Sequence, residues 1–291
     1  MVRNTLVILN PERVVSLNRN QVVSLSGISR REQELLLSRA AWAINAEGTD
    51  FVRHLNPLNF RLEGPPGVGK NEIVYEIVRK LTENNDVPFY SIQGHEEMTP
   101  EDLSILLTPD NTGENNTNLI LRASPLATAI FEGGIFFFDE INRVPERALS
   151  PLASVLDSRK YIYSAMTGIK IAPKNEEARS RFRFCCALNP NIGDGVGNSL
   201  PEYIDQRTLP IIKVDYHQSK SLIKIVSNIT EKEEYVSGFE KWHDEEIKTN
   251  ITTRQAIAII HYALNLRFDQ PSAYDSIKKA ALYILGNSTE I

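Results

Sequence analysis

The sequence predicts an α/β fold. We expect a doubly wound parallel sheet in which a glycine-rich loop connects one strand to the following helix, and a small all-α domain after it. Three observations lead to this prediction. The stretch 64–71 (GPPGVGKN) stands between a short apolar run, 58–62, and a helical pattern over 72–81. A second run, 135–138, is short and apolar at every position, as in a strand buried on both faces. From Tyr216 onward the patterns are helical, without strands.

Composition limits what the chain can do. Its 291 residues suffice for one large domain or two smaller ones. A net charge of -5 disfavours nucleic-acid binding driven by overall charge, although it leaves room for a local basic patch. No apolar stretch reaches the roughly 18 residues of a membrane span, and residues 1–10 are too short for a signal peptide, so we expect a cytoplasmic protein. The adjacent Cys185 and Cys186 would point to opposite faces of a strand, as reduced core residues.

We divide the chain into three parts. Residues 1–28 alternate apolar and polar positions and are expected to form an extended lead-in. Residues 29–215 are the predicted αβα domain, and residues 216–291 the helical one. The further expectations for the middle part are a helix from 29 that Gly48 ends, a short helix over 100–107, a polar insertion over 110–118, a helix over 147–156, and a hairpin over 161–171.

The glycine-rich loop has the order strand, loop, helix that a phosphate-binding P-loop requires. Its residues are Gly64, Pro65, Pro66, Gly67, Val68, Gly69, Lys70 and Asn71. The glycines let backbone N–H groups turn toward an anion, and the helix N-terminus adds the positive end of its dipole. Lys70 can reach outer phosphates as a point charge. Asn71 departs from the motif, which has Ser or Thr after the lysine.

Two carboxylates, Asp139 and Glu140, follow the apolar run 135–138. Open α/β sheets bind ligands at the carboxyl ends of their strands, so the pair stands where a ligand is expected. Alone, an Asp-Glu pair after a strand is more often the start of a helix. With a P-loop upstream, we favour a functional pair.

Three more polar residues follow in order. Asn189 ends the apolar strand predicted over 182–188, Arg207 ends a short helix over 200–207, and Arg254 lies early in a helix over 253–264. Taken alone, Asn-Pro is a turn and an arginine on a helix is exposed to solvent. The five histidines show no metal-ligand spacing, and the aromatic residues are not interleaved with basic ones as on a nucleic-acid platform.

With these motifs assembled, the chain resembles the AAA+ ATPases, and within them the MoxR group that includes the CbbQ/NorQ-type activators. The resemblance runs from about residue 29 to the last residue and rests mainly on 64–70 and 132–143. It implies a P-loop domain with a helical lid, ATP and Mg²⁺ as ligands, and a ring that is a homo-hexamer. It also implies remodelling of a partner, either a protein substrate or a von Willebrand A-type protein.

The resemblance also assigns roles to single residues. Lys70 and the backbone of 67–71 would hold the phosphates, Asp139 and Asn71 would contribute to the Mg²⁺ site, and Glu140 would orient the attacking water. Asn189 resembles the sensor 1 residue, Arg207 the arginine finger that acts in a neighbouring subunit, and Arg254 the sensor 2 residue. The family often has Asp-Arg-Phe where this chain has Gln206-Arg207-Thr208.

Two alternatives stay open from the sequence. One is a motor or loader that acts on nucleic acid with the same ATPase core, which the acidic balance disfavours. The other is a nucleotide-binding scaffold with weak or no hydrolysis, since Asn71 replaces the P-loop Ser or Thr. The preference for ATP over GTP rests on the resemblance alone.

Overall fold

A computed structural model describes residues 7–8, 29–84, 87–110, 118–190, 198–246, 250–267, 270 and 272–286. These residues fall into two compact units, each built from separate stretches of the chain. The sheet unit comprises the described residues within Met1–Asn18, Leu35–Glu63 and Ile77–Ile212. The helical unit comprises those within Arg19–Glu34, Gly64–Glu76 and Lys213–Ile291. The predicted limits at 28/29 and 215/216 stay predictions, and most of the lead-in 1–28 lies outside the described residues.

The described residues contain ten strands and ten α-helices. The strands are β1 Val7–Ile8, β2 Phe60–Glu63, β3 Phe89–Gln93, β4 Ile105–Asp110, β5 Asn118–Ala123, β6 Ile135–Asp139, β7 Ile162–Ser164, β8 Ile169–Ile171, β9 Arg183–Leu188 and β10 Ile211–Lys213. The helices are α1 Ser29–Ala41, α2 Lys70–Asn84, α3 Pro125–Glu132, α4 Leu152–Val155, α5 Glu176–Arg181, α6 Glu202–Asp205, α7 Ser219–Ile229, α8 Glu233–Glu246, α9 Thr253–Leu266 and α10 Ala273–Leu285.

The central sheet has five strands in the order β10-β2-β9-β6-β3, and its β2–β9, β9–β6 and β6–β3 pairs are parallel. Strand β6 is buried over its four apolar positions and β9 over its whole length. Because helices follow the strands and cover them, both strands are apolar except for Asp139 at the end of β6 and Arg183 at the start of β9. The prediction of an α/β chain with a parallel P-loop sheet and a C-terminal helical region is confirmed. Cys185 and Cys186 are buried free thiols, as expected.

The parallel pairing gives the sheet two distinct ends. At the carboxyl end, Glu63 pairs with Leu188 and Gln93 pairs with Asp139. At the amino end, Ile135 pairs with both Phe89 and Arg183. Polar side chains that follow β3, β6 and β9 therefore meet at the carboxyl end, and those that precede β2, β3, β6 and β9 meet at the amino end.

A second, three-stranded sheet corrects one prediction. Only Pro100–Leu103 of the expected helix 100–107 is helical, as a 3-10 turn, and β4 follows and pairs antiparallel with β5. This pairing is non-local, so local propensity did not indicate it. Strand β1 pairs with the other side of β5, so β4 lies at the edge of this sheet. A proline such as Pro109 is tolerated in an edge strand. Of the predicted insertion, 111–117 lie outside the described residues.

Two helix predictions are also corrected. Helix α1 ends at Ala41, well before Gly48, because Ala43 takes a left-handed φ of 52° and Asn45 Oδ1 accepts bonds that hold the following turn. The predicted helix 147–156 is a 3-10 turn, Glu146–Leu149, followed by the short α4, with Pro151 between them. The predicted hairpin is confirmed as β7 and β8, which pair antiparallel.

The C-terminal part of the helical unit is a bundle of α7, α8, α9 and α10. Phe239 and Trp242 of α8 are fully buried and pack with Ile259, Ile260 and Ile277 of the two following helices. Thr252 caps α9, with Gln255 completing a capping box. Within the described residues, no helix is long and apolar enough to span a membrane.

Candidate functional site

The glycine-rich loop leaves β2 at Gly64 and enters α2 at Lys70. Gly67 and Gly69 have φ angles of 77° and 92°, a region that residues with a side chain rarely adopt. A Cβ on Gly64 would lie 1.8 Å from the carbonyl oxygen of Val214, so only glycine allows this approach of two backbones. Glycine is therefore required at 67 and 69 for the backbone conformation and at 64 for the close approach of another backbone.

Lys70 is the cation of this loop. Its side chain is 6% exposed, and Nζ donates to the carbonyl oxygens of Gly64 at 2.7 Å and Pro65 at 2.9 Å. These carbonyls satisfy hydrogen bonds of the ammonium without cancelling its charge. A buried ammonium at the start of a helix, beside a glycine-rich loop, suits Lys70 to a phosphate or another anion.

Arg254 lies beside the loop within the helical unit. Its backbone N–H donates to the carbonyl oxygen of Gly67 at 3.2 Å, and a Cβ on Gly67 would contact the Thr252 side chain at 3.1 Å. The N-terminus of α9 therefore packs directly on the loop, and Arg254, an exposed residue, projects from its first turn. The structure thus places the backbone of Arg254 against the loop that carries Lys70, although the two residues are 184 positions apart in the sequence.

A buried arginine that the sequence analysis did not select supports the same loop. Arg31, which is 1% exposed, donates to the carbonyl oxygen of Val68, to Glu34 Oε2, and to His217 Nε2 at 3.0 Å. Because His217 Nε2 accepts this bond, the neutral ring carries its proton on Nδ1. An arginine in the first turn of an amphipathic helix is normally exposed, so the sequence did not indicate that Arg31 is buried.

At the carboxyl end of the sheet, Asp139 ends β6 and Glu140 follows in a left-handed conformation with φ 51° and ψ 40°. Such a conformation is rare for glutamate and is found mainly at functional positions. Asp139 Oδ1 accepts the N–H of Glu140 at 2.9 Å. A Cβ on Gly94 would lie 2.4 Å from the carbonyl oxygen of Glu140. The backbone of Gly94 therefore packs directly against the turn at Glu140.

The carboxylate of Glu140 is held by two donors in the sheet unit. Its Oε2 accepts from Gln93 Nε2 at 3.1 Å and from Arg143 Nη1 at 3.0 Å. Both donors stabilise the ionised carboxylate. Gln93 ends β3 next to β6, so a residue on the neighbouring strand fixes the direction in which Glu140 points.

Asn189 follows β9 at the same end of the sheet. Its carbonyl oxygen accepts from the Asn142 side chain at 2.9 Å, which ties the end of β9 to the turn after Glu140. Asp139, Glu140 and Asn189 are thus grouped in the sheet unit, as their positions after parallel strands predicted.

Arg207 lies at the amino end of the sheet, away from these three residues. It is exposed, donates through Nη1 to Tyr203 O at 2.9 Å, and its carbonyl oxygen accepts from Asn59, directly before β2. Arg61 of β2 fixes the preceding helix by an ion pair of 2.7 Å with Asp205. Within one chain, Arg207 and Glu140 are therefore at opposite ends of the sheet.

The two residues that were predicted to contribute oxygen donors to a metal site, Asn71 and Asp139, belong to different units of the structure. Asn71 is the second residue of α2, and Asp139 is part-buried at the end of β6. The described residues contain no cluster of three or more His, Cys, Asp or Glu that could hold a metal by itself. A hard carboxylate oxygen and an amide oxygen suit Mg²⁺, which usually takes one or two carboxylates, phosphate oxygens and waters.

These features define a P-loop nucleotide-binding protein built on a parallel sheet. Residues 59–208 match the family described as AAA domain (dynein-related subfamily), a little over half of the chain. The chain therefore belongs to this AAA family. The matched segment contains the P-loop, the Asp139–Glu140 pair, Asn189 and Arg207.

Curated relatives include uncharacterized proteins of Staphylococcus aureus strains USA300 and bovine RF122, each 28% identical over 196 residues. The alignments cover 66% of this chain and 66% of each relative, so the chain spans about two thirds of their length.

Among solved structures, the RuvB Holliday junction branch migration motor of Thermotoga maritima is 18% identical, with a TM-score of 0.56, and the match covers 92% of this chain and 74% of that one. NtrX from Brucella abortus, in complex with ADP, is 15% identical with a TM-score of 0.53 and coverages of 87% and 53%. At these identities the similarity establishes the AAA+ fold.

Proposed function

We propose that this chain hydrolyses ATP with Mg²⁺ and uses the energy to remodel a protein partner, as an AAA+ ATPase of the MoxR group. The observation that carries the proposal is the P-loop itself: its two left-handed glycines, its buried Lys70, and Arg254 packed against Gly67 in the same unit. This arrangement suits phosphate groups and presents a second cation to them.

In this proposal, Lys70 and the N–H groups of 67–71 bind the phosphates of ATP. Bound phosphate replaces the Gly64 and Pro65 carbonyls as the partner of Lys70 Nζ. Arg254 adds charge from α9, so the helical bundle responds to the phosphates through its direct contact with the loop. Within the helical unit, Arg31 holds the carbonyl of Val68 and so keeps the loop in its binding conformation.

Glu140 is the proposed base-like carboxylate that orients and polarises water. Gln93 and Arg143 donate to Oε2 in the structure and so orient the carboxylate for this role. Asn189 is proposed as the polar group that senses the reacting phosphate or this water. The NtrX structure with ADP is consistent with a nucleotide ligand for this fold.

Asp139 and Asn71 are the residues proposed to contribute to the Mg²⁺ site, Asp139 through water. When bound, Mg²⁺ neutralises charge on the phosphate oxygens. An asparagine side chain is one atom longer than threonine's, and Mg²⁺ demands octahedral geometry at about 2.0–2.1 Å. We therefore propose that Asn71 weakens the metal site without abolishing it, because Asp139 and the phosphates provide most of its ligands.

We propose a ring, most simply a homo-hexamer, in which Arg207 acts on the nucleotide of the neighbouring subunit. The supporting observation is that Arg207 is exposed at the amino end of the sheet, whereas Glu140 lies at the carboxyl end of the same sheet. The partner is proposed to be a protein substrate or a von Willebrand A-type protein. Nucleic acid is a less favoured partner for a chain of net charge -5.

The test separates binding from hydrolysis. Glu140→Gln keeps the shape of the side chain but removes its charge, so the protein should bind ATP and lose its turnover by about 10²–10⁴-fold. Lys70→Ala should instead weaken ATP binding. Fluorescent-nucleotide titration and phosphate release measure the two effects, with Glu146→Gln, an exposed glutamate nearby, as the matched control. Unchanged turnover in Glu140→Gln would disprove the assignment of the carboxylate.

A further inference from the structure

A cleft lies at the amino end of the central sheet, within the sheet unit. It has a volume of about 1460 Å³ and is lined by residues that precede β2, β3 and β9, by α5, and by the segment after α4. Its lining includes Asn59, Val87 and Arg183, each at or just before the start of a strand. The residues Asp139, Glu140 and Asn189 do not belong to it.

Arg183 is the first cation of this cleft. The side chain is 2% exposed, and its guanidinium stacks over the ring of Phe51, 4.4 Å from the ring centre. Nε donates to Trp42 O at 2.6 Å, and Nη1 donates to Ser180 O at 2.6 Å and Phe182 O at 3.2 Å. Among the described residues, Nη2 has no hydrogen-bond acceptor and no carboxylate pairs with the charge.

Lys160 is the second cation. Its Nζ donates to Arg179 O at 3.2 Å, which leaves two N–H donors without an acceptor in the described part of the chain. Burial, and then the charges of Arg183 and Arg179, lower the pKa of Lys160 to about 8. Burial likewise lowers the pKa of Arg183. The shift of Lys160 reflects poor solvation and nearby cations, whereas the shift of Arg183 reflects poor solvation alone.

The acidic residues of the lining do not neutralise these two cations. Glu176 pairs with Arg179 at 3.4 Å, and Glu177 pairs with Arg181 at 4.0 Å, and both carboxylates are largely exposed. Asp157 pairs with Arg159 at 2.6 Å, and Asp50, the fourth acidic residue of the lining, accepts the backbone N–H of Phe51. The hydrogen bonds that Lys160 and Arg183 do make are to carbonyl oxygens, which satisfy donors but leave the net positive charge in place.

Buried like charges without a counter-charge destabilise a fold, and an anion that binds between them removes the penalty. An oxyanion with several oxygens can accept from Arg183 Nη2 and Lys160 Nζ at once, as phosphate does in charge-assisted pairs. The volume of the cleft exceeds that of one phosphate, and Phe51, Leu58 and Leu209 give it an apolar part for the body of a larger ligand.

We propose that this cleft is a binding site for a phosphate-bearing small anion, held by Lys160 and Arg183 and independent of the P-loop. The site does not rest on the proposed ATPase activity, since its residues lie at the opposite end of the sheet from Asp139 and Glu140. Arg207 also lines the cleft, so its occupant would touch the segment that carries this residue.

The experiment uses inorganic pyrophosphate as the probe and the Lys70→Ala chain as the background, so that the P-loop contributes little. Calorimetric titration at pH 8, in two buffers of different ionisation enthalpy, should show binding with uptake of protons by Lys160, because an anion raises the pKa of that ammonium. Adding Lys160→Gln should weaken binding by roughly tenfold. Lys174→Gln, which removes an exposed lysine that does not line the cleft, should leave the affinity unchanged.

The variant Lys160→Arg distinguishes the effect of a positive charge at position 160 from the effect of proton uptake by the lysine. Arginine stays protonated, so this variant should bind pyrophosphate with less proton uptake than the lysine chain. Unfolding curves of each variant establish that it is folded before titration. Absence of pyrophosphate binding to the Lys70→Ala chain would overturn the proposal. Equal affinity in Lys160→Gln and Lys174→Gln would also overturn it.

Discussion

The two ends of the central sheet carry opposite chemistry. At the carboxyl end, Asp139 and Glu140 follow β6. At the amino end, Lys160, Arg183 and Arg207 face one cleft. The acidic end suits a cation and a water molecule, whereas the basic end suits an anion.

This difference bears on assembly. A surface that is acidic at one place and basic at another can associate head to tail, and a repeated head-to-tail contact forms a ring when its rotation closes. In the proposed ring, Arg207 would need no movement within its own chain, because the neighbouring subunit would supply the nucleotide. The comparison therefore predicts that damage to the basic end is repaired by another copy of the chain.

The largest expected effect comes from Arg207→Ala. An arginine that stabilises transition-state charge is worth about 10³-fold or more, so the variant should bind ATP and be nearly inactive. Mixing it with Glu140→Gln protein should restore part of the phosphate release, since a mixed interface contains one intact pair. Arg159→Ala, which removes an exposed arginine nearby, is the control. No recovery in rings shown to exchange subunits would contradict action between subunits.

A middle-sized effect is expected at Asn71, which tests whether the acidic end depends on a cation. Asn71→Thr places a shorter oxygen donor after Lys70 and should lower the Mg²⁺ concentration at half-maximal turnover by roughly three- to tenfold. The measurement is ATP turnover across a Mg²⁺ series. An unchanged Mg²⁺ dependence would refute the role of Asn71. If neither form hydrolyses ATP at any Mg²⁺ concentration, with or without partner, the chain is a nucleotide-binding scaffold.

The smallest effect concerns stability at the basic end. The pKa of Lys160 is lowered from 10.5 to about 8, so its charged form destabilises the fold at every pH below about 8. Lys160→Met should therefore raise the thermal midpoint at pH 7, by about 2–4 °C. As the pH rises from about 8 to 10.5, the unfolded chain keeps a proton that the folded chain has lost, so the two proteins should converge. A constant difference across this range would contradict a buried charge.

Sequence alone predicted the parts of the molecule that local pattern determines. Strand β6 followed from a short, fully apolar run, strand β9 from a run that is apolar except for Arg183, and the loop 64–71 from its glycines between a strand and a helix. The grouping of Asp139, Glu140 and Asn189 followed because parallel strands share one carboxyl end. Helix α8 was not predicted, although Tyr235, Phe239 and Trp242 recur at helical spacing and supplied a signal.

What sequence could not predict depends on contacts between distant residues. Strand β4 exists because it pairs with β5, and its local sequence was equally compatible with a helix. The buried Arg31, Arg61 and Arg183 are the other omission, because a single sequence does not distinguish a buried arginine from an exposed one. Arg31 beside the P-loop and Arg183 at the amino end of the sheet escaped prediction for this reason.

Strand β2 has two faces of different character. Phe60 and Leu62 are fully buried apolar residues, whereas Asn59, Arg61 and Glu63 alternate with them and bind the Arg207 segment or each other. Because side chains on a strand alternate, a single inserted residue would exchange the two faces. Anyone who transplants this P-loop into another scaffold must therefore carry β2 with it, or change its length only by an even number of residues.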